Sequence, residues 1–295
     1  MNHERHIPLS DAYLPWILDP VLIGSLVTAA VVYLLLAGPL RDRIAGSEKV
    51  PPGQMTLFMS ALVLTFLTEG SPLHELSDRY LFSAHMLQHV LLSYAVAPML
   101  IWGTPAWMMR PFVLNRFVKP VFVALTRPVV AFFIFSLGFS IWHIEFVYEA
   151  ALTNPFIHHT QHVIFLVISL IMWWPLMSPL REVPRLNYGM SIIYLVLLPV
   201  GQFFAGALVT FTQVSIYPTY ASAPRLLGMS VMEDQTLGGI IMKIGSFLVY
   251  GIPMIVIFLR WFNSESPSTR LAQRGAESRA RAAATRGCPA AHRPP

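Results

Sequence analysis

Long apolar runs separated by short polar stretches dominate the chain. Seven runs, at about residues 20–39, 54–72, 81–101, 128–144, 157–176, 188–213 and 236–259, come close to the roughly 20 residues a helix needs to cross a bilayer core. Helix is the expected element, because an open strand would leave backbone N–H and C=O groups unsatisfied in hydrocarbon. The second and fourth runs are the weakest of the seven. Between the third and fourth, Pro111 to Arg127 mixes bulky apolar and basic residues and predicts an interfacial helix. The expected fold is all-α: a polytopic bundle of seven transmembrane helices within residues 20–260. A short lead, 1–19, precedes it, and a basic, Ser/Arg/Ala/Pro-rich tail, 261–295, follows and is expected to be disordered.

Composition agrees with the pattern. The 295 residues are 55% hydrophobic and 12% charged, where soluble domains carry roughly 25% charged residues. Mean hydropathy is +0.58. The net charge of +5 is no nucleic-acid signal, because seven of the twenty Lys and Arg fall in the last thirty-six residues, beside a membrane segment. A single cysteine, Cys288, excludes a disulfide framework and a CxxC metal site. The first residues lack a basic region leading into a short apolar core with a cleavage site, so no removable signal is expected.

Charge placement predicts orientation. With the N-terminus outside, the inner segments hold 16 Lys and Arg and the outer segments hold 3, namely Arg5, Arg79 and Arg225. The excess of basic residues inside sets the N-terminus outside and the C-terminus inside. The lead is then on the outer side of the membrane and the tail on the inner side. Nine of the ten histidines fall on the outer side or in the outer third of the membrane; His292 is the exception.

Two of these clusters repeat a spacing. His85 and His89 lie at i and i+4, on one helical face about a turn apart, with Gln88 beside them. His158 and His162 repeat the pattern on the fifth run with Gln161, and His143 closes the fourth run at the same depth. Imidazoles converging in this way make a good shell for copper, zinc or haem iron. Gln88 and Gln161 would orient them, and the second pair at Asp234-Gln235 offers a further partner for an imidazole or a helix cap. Gly238-Gly239 would let the seventh run pack closely on a neighbour. Met242 and other outer methionines add a weaker hint of copper(I). Trp173-Trp174-Pro175 reads as an aromatic belt at the inner interface. Lys243 is too shallow, and the pocket too rich in histidine, for a retinal lysine. No phosphate loop, GxSxG or HExxH is present, and no enzymatic activity is expected.

In combination these residues resemble the CtaG-type cytochrome c oxidase assembly factors. The matching positions are His85-Met-Leu-Gln-His89 with Ala97-Pro98 and Gly103-Thr104-Pro105; Trp142-His143, Tyr148 and Ala151-Leu152; His158, His162 and Phe165; Trp173-Trp174-Pro175; and Asp234-Gln235, Gly238-Gly239 and Met242. Two positions depart from the family pattern: Glu145 stands where proline is usual, and Gln161 where glutamate is frequent. Glu145 could add an oxygen ligand, whereas Gln161 makes a carboxylate–histidine pair impossible at that position. The resemblance implies a non-enzymatic factor that carries copper to the catalytic subunit of the oxidase. His85, His89, His143, His158 and His162 would hold the metal, and a periplasmic copper donor and membrane lipid would be its other partners. A bis-histidine haem carrier and a copper transporter are the alternatives.

Overall fold

The computed structural model of the protein describes residues 7–264, so the expected tail lies outside the described residues from 265 onward. Among the described residues the chain is helical and has no strand. In order the helices are α1 (Pro20–Ala37), α2 (Pro52–Glu69), α3 (Pro72–Arg79), α4 (Phe82–Leu91), α5 (Ala97–Gly103), α6 (Ala106–Val113) and α7 (Val118–Leu125). There follow α8 (Pro128–Trp142), α9 (Glu145–Thr153), α10 (Pro155–Met177), α11 (Tyr188–Gly201), α12 (Phe203–Phe211), α13 (Pro218–Ser222) and α14 (Val231–Ser264).

The helix starts are written in local sequence. α1, α3 and α10 each begin with proline, whose missing N–H is not needed in a first turn. Each is preceded by a side chain that accepts from that turn. Asp19 takes the Val21 and Leu22 N–H groups, Ser71 takes Leu73, and Asn154 takes Phe156 and Ile157. The Leu22 N–H is also the main reason the Asp19 carboxyl is held below its ordinary range.

Four helical stretches are long and apolar enough to cross a membrane: Pro20–Ala37, Phe82–Gly103, Pro155–Met177 and Val231–Ser264. Three bent pairs bring the count to seven if each is one span: α2 with α3 at 43°, α7 with α8 at 74°, and α11 with α12 at 44°. The breaks fall at Ser71-Pro72, at Arg127-Pro128 and after Pro199, where proline interrupts the hydrogen-bond ladder. The interfacial stretch expected over Pro111 to Arg127 is two short helices, α6 and α7, rather than one.

The centre of the bundle is α4, α8, α10, α11 and α14. Lipid tails are as apolar as leucine, so the helices are held by close packing and buried hydrogen bonds rather than by exclusion of water. At Gly238 a Cβ would collide with the Phe82 ring of α4, and at Gly239 with Thr210 of α12. Both glycines therefore let α14 approach its neighbours, as expected. Trp173 and Trp174 are buried, not set in an interfacial belt. The Trp173 indole donates to the Ser93 carbonyl at 2.9 Å, inside the single π turn, Leu92–Val96, that joins α4 to α5. A π turn ending two residues ahead of Pro98 leaves carbonyls without their usual helical partner, and Trp173 satisfies one of them. α1 stands apart: Tyr33 stacks on Phe58 at 4.1 Å and donates to the Gly103 carbonyl, and its other faces are left bare.

Candidate metal centre

At one end of the bundle, α4, α10 and α14 begin and α2 and α8 finish. Because Asn154 fixes the start of α10, His158 and His162 stand in its first two turns. Their Nε2 atoms are 3.1 Å apart. On α4, His85 and His89 repeat the arrangement with Nε2 atoms 2.9 Å apart. The helices face each other, so that ring centroids of His85 lie 5.3 Å from His158 and 5.5 Å from His162, and His89 lies 5.3 Å from His162. All four rings are buried. One nitrogen each of His85, His89 and His162 falls within 4.8 Å of the others, as do the donor atoms of His74, His158 and His162 and of Asp78, His85 and His158. These overlapping groups make one cluster.

The far nitrogens of three of these rings are engaged. His162 Nδ1 meets Glu69 Oε2 at 2.5 Å, and His158 Nδ1 lies 3.4 Å from Asp78 Oδ2. Tyr220 donates its proton to the Ser77 carbonyl, so toward His85 Nδ1, 3.2 Å away, its oxygen can only accept. Tyr148 closes the network at 3.3 Å from Tyr220. A neutral imidazole has one N–H. These partners assign it to Nδ1 in His85, His158 and His162, which leaves their Nε2 lone pairs free, those of His158 and His162 facing each other and that of His85 facing His89. Lone pairs facing each other at 3.1 Å repel, and a cation between them turns that repulsion into ligation. The residues therefore fit a metal ion on the chemistry of their donors.

The structure does not gather every residue singled out from sequence. His143 sits beside the cluster: its ring centroid is 6.2 Å from that of His89, and its Nε2 faces Met86 Sδ at 3.4 Å. Gln88 donates to the Thr68 carbonyl and reaches His74, not His85 or His89. Gln161 is buried, and neither side-chain atom has a hydrogen-bond partner among the described residues. Asp234 caps a helix, but not its own: it accepts from the Phe82 and Ser83 N–H groups and from the Ser83 hydroxyl, at the start of α4. Gln235 binds the Ile216 N–H and the Val209 and Val214 carbonyls. Glu145 is exposed in the first turn of α9, and Met242 is buried in the apolar core. His159 points away, 58% exposed, toward Asp19.

Four participants were not anticipated: Glu69, His74, Asp78 and Tyr220. A carboxylate–histidine pair is formed from elsewhere in the chain, with Glu69 of α2 supplying the carboxylate to His162 from 93 residues away. The local signal for Glu69 was its position: a carboxylate at the end of an apolar run. Asp78, 27% exposed, is the member of the cluster most open to solvent.

A family model described as cytochrome c oxidase caa3 assembly factor (Caa3_CtaG) matches residues 31–264. Among curated proteins the chain is similar to uncharacterized proteins of three mycobacteria. It is 22% identical to one from Mycobacterium leprae over 83% of the chain and 39% of that protein. It is also 22% identical to relatives from Mycobacterium bovis and Mycobacterium tuberculosis over 76% of the chain and 36% of each. The chain thus spans less than half the length of these relatives. No solved structure matches it.

Proposed function

The chain belongs to the cytochrome c oxidase caa3 assembly factor family, and we propose that it serves assembly by holding copper in the histidine cluster and passing it to the catalytic subunit of the oxidase. One observation carries this: the buried rings of His85, His89, His158 and His162 bring donor atoms into overlapping groups within 4.8 Å of one another, while Glu69, Asp78 and Tyr220 engage their far nitrogens. Such outer partners hold a ligating imidazole in the correct tautomer and raise its basicity. Glu69 and Asp78 also offset the charge of an ion, whose uncompensated burial would cost several kcal/mol.

An ion is favoured over haem by the short separations. Rings facing each other across α4 and α10 with centroids 5.3–5.5 Å apart leave no slot for a macrocycle. A bound ion also suits delivery better than transport, because the groups able to hold an ion gather at one end of the bundle and no further such group follows among the described residues. In this account the bundle has seven spans, with the bent pairs counted as single spans. The N-terminus is outside, the compartment is the bacterial inner membrane, and copper enters from a periplasmic donor past Asp78. The protein's part is binding and release, not catalysis.

The test is genetic and chemical together. H85A and H158A, each alone, are expected to lower copper bound by the purified protein and to lower assembled, copper-loaded oxidase in cells. Variants that keep full copper content and full oxidase assembly would rule out this site.

A further inference from the structure

His143 stands next to the cluster but does not join it, and its surroundings differ in kind. Its Nδ1–H donates to the Phe139 carbonyl at 2.7 Å, so its lone pair is on Nε2. That lone pair faces the Met86 sulfur at 3.4 Å, and both residues are buried. Two acceptors therefore meet in a buried place, and neither offers the other a proton. Thioether and imidazole together suit a soft ion of the Cu(I) class. With bond lengths of about 2.0 Å to nitrogen and about 2.3 Å to sulfur, atoms this close describe a bent pair, which leaves room for a third donor.

His89 supplies it. Along α4, His89 is four residues from His85 and three from Met86, so it lies on the edge shared by both faces. Its Nε2 meets His85 Nε2 at 2.9 Å. Since His85 Nε2 carries a lone pair, His89 can donate Nε2–H to it, and the His89 lone pair is then on Nδ1. That Nδ1 is buried and has no hydrogen-bond partner among the described residues.

We propose that Met86 Sδ, His143 Nε2 and His89 Nδ1 form a second site, for a soft monovalent cation such as Cu(I), reached from the four-histidine cluster through the His89 ring. This rests on the copper function proposed above. A neutral ring offers one lone pair at a time, so His89 serves the two sites in turn. An ion in the cluster takes Nε2, with the proton on Nδ1; an ion at the sulfur site takes Nδ1, with the proton on Nε2. The metal arrives as Cu(I), and no electron is transferred.

The experiment compares full-length protein carrying Cys288→Ser, which removes the thiol, with M86L and H143N made in the same background. Cu(I) is added anaerobically and read by its X-ray absorption; Zn(II) is titrated separately as a probe of the four-histidine cluster. The expected result is a sulfur neighbour to Cu(I) in the parent that both variants lose, with Cu(I) affinity down about tenfold or more and Zn(II) affinity unchanged. A sulfur signal and a Cu(I) affinity unaffected by either variant would overturn the proposal. Should M86L lose Zn(II) binding through misfolding, H143N alone decides. Absence of Zn(II) binding in the parent, with sulfur-bound Cu(I) retained, would instead count against the four-histidine cluster.

Discussion

At the scale of single residues, spacing showed which histidines pair but not what holds them. His85 with His89 and His158 with His162 are local, at i and i+4, and the helices express that spacing directly. Glu69, Asp78 and Tyr220 reach the same rings from elsewhere in the chain, and no periodicity announces a contact made only when helices pack. The matched glutamines were misleading for a geometric reason. A residue one position before a histidine is turned about 100° around the helix axis, so Gln88 faces α2 and Gln161 lies off the cluster. We therefore expect Glu69→Gln to weaken metal binding by about 10–100-fold. Gln161→Ala should leave the affinity unchanged. Metal titration of both variants checks this, and equal effects would remove Glu69 from the centre.

Among elements, the critical contact is that of α14 with α4, the helix that carries His85 and His89. Gly238-Gly239 was legible as a close-packing pair. The role of Asp234 was only half legible: a carboxylate near a helix start suggested a cap, but the helix it caps is 151 residues distant in sequence. Gly238→Leu would drive a side chain into Phe82 and Met86. Overpacking of this kind costs about 1–3 kcal/mol, and a lower melting temperature together with weaker metal binding is expected. Asp234→Ala leaves the first N–H groups of α4 without their acceptor, at a cost of about 0.5–2 kcal/mol. Thermal unfolding in detergent measures both. A variant that lost stability with its metal affinity intact would show that α14 supports the fold but not the centre.

For the molecule as a whole, the apolar runs showed the all-helical membrane fold and the motifs showed the family, since both depend on long stretches of composition and order. The bends were less visible. Each falls at a proline within or between apolar runs, and hydropathy does not distinguish a straight span from a broken one. Orientation rests on the basic residues, and Cys288 reports it as the only thiol in the chain. A membrane-impermeant maleimide should label Cys288 in inverted vesicles and not in intact spheroplasts; the opposite pattern would reverse the topology and put the histidine cluster on the cytoplasmic side. The central claim, that four buried histidines at one end of the bundle hold copper, is tested most directly by the copper content of the purified, copper-treated chain beside that of a variant carrying both His158→Ala and His162→Ala. Copper equimolar with the wild-type chain and absent from the variant is the predicted result, and equal copper in the two would contradict it.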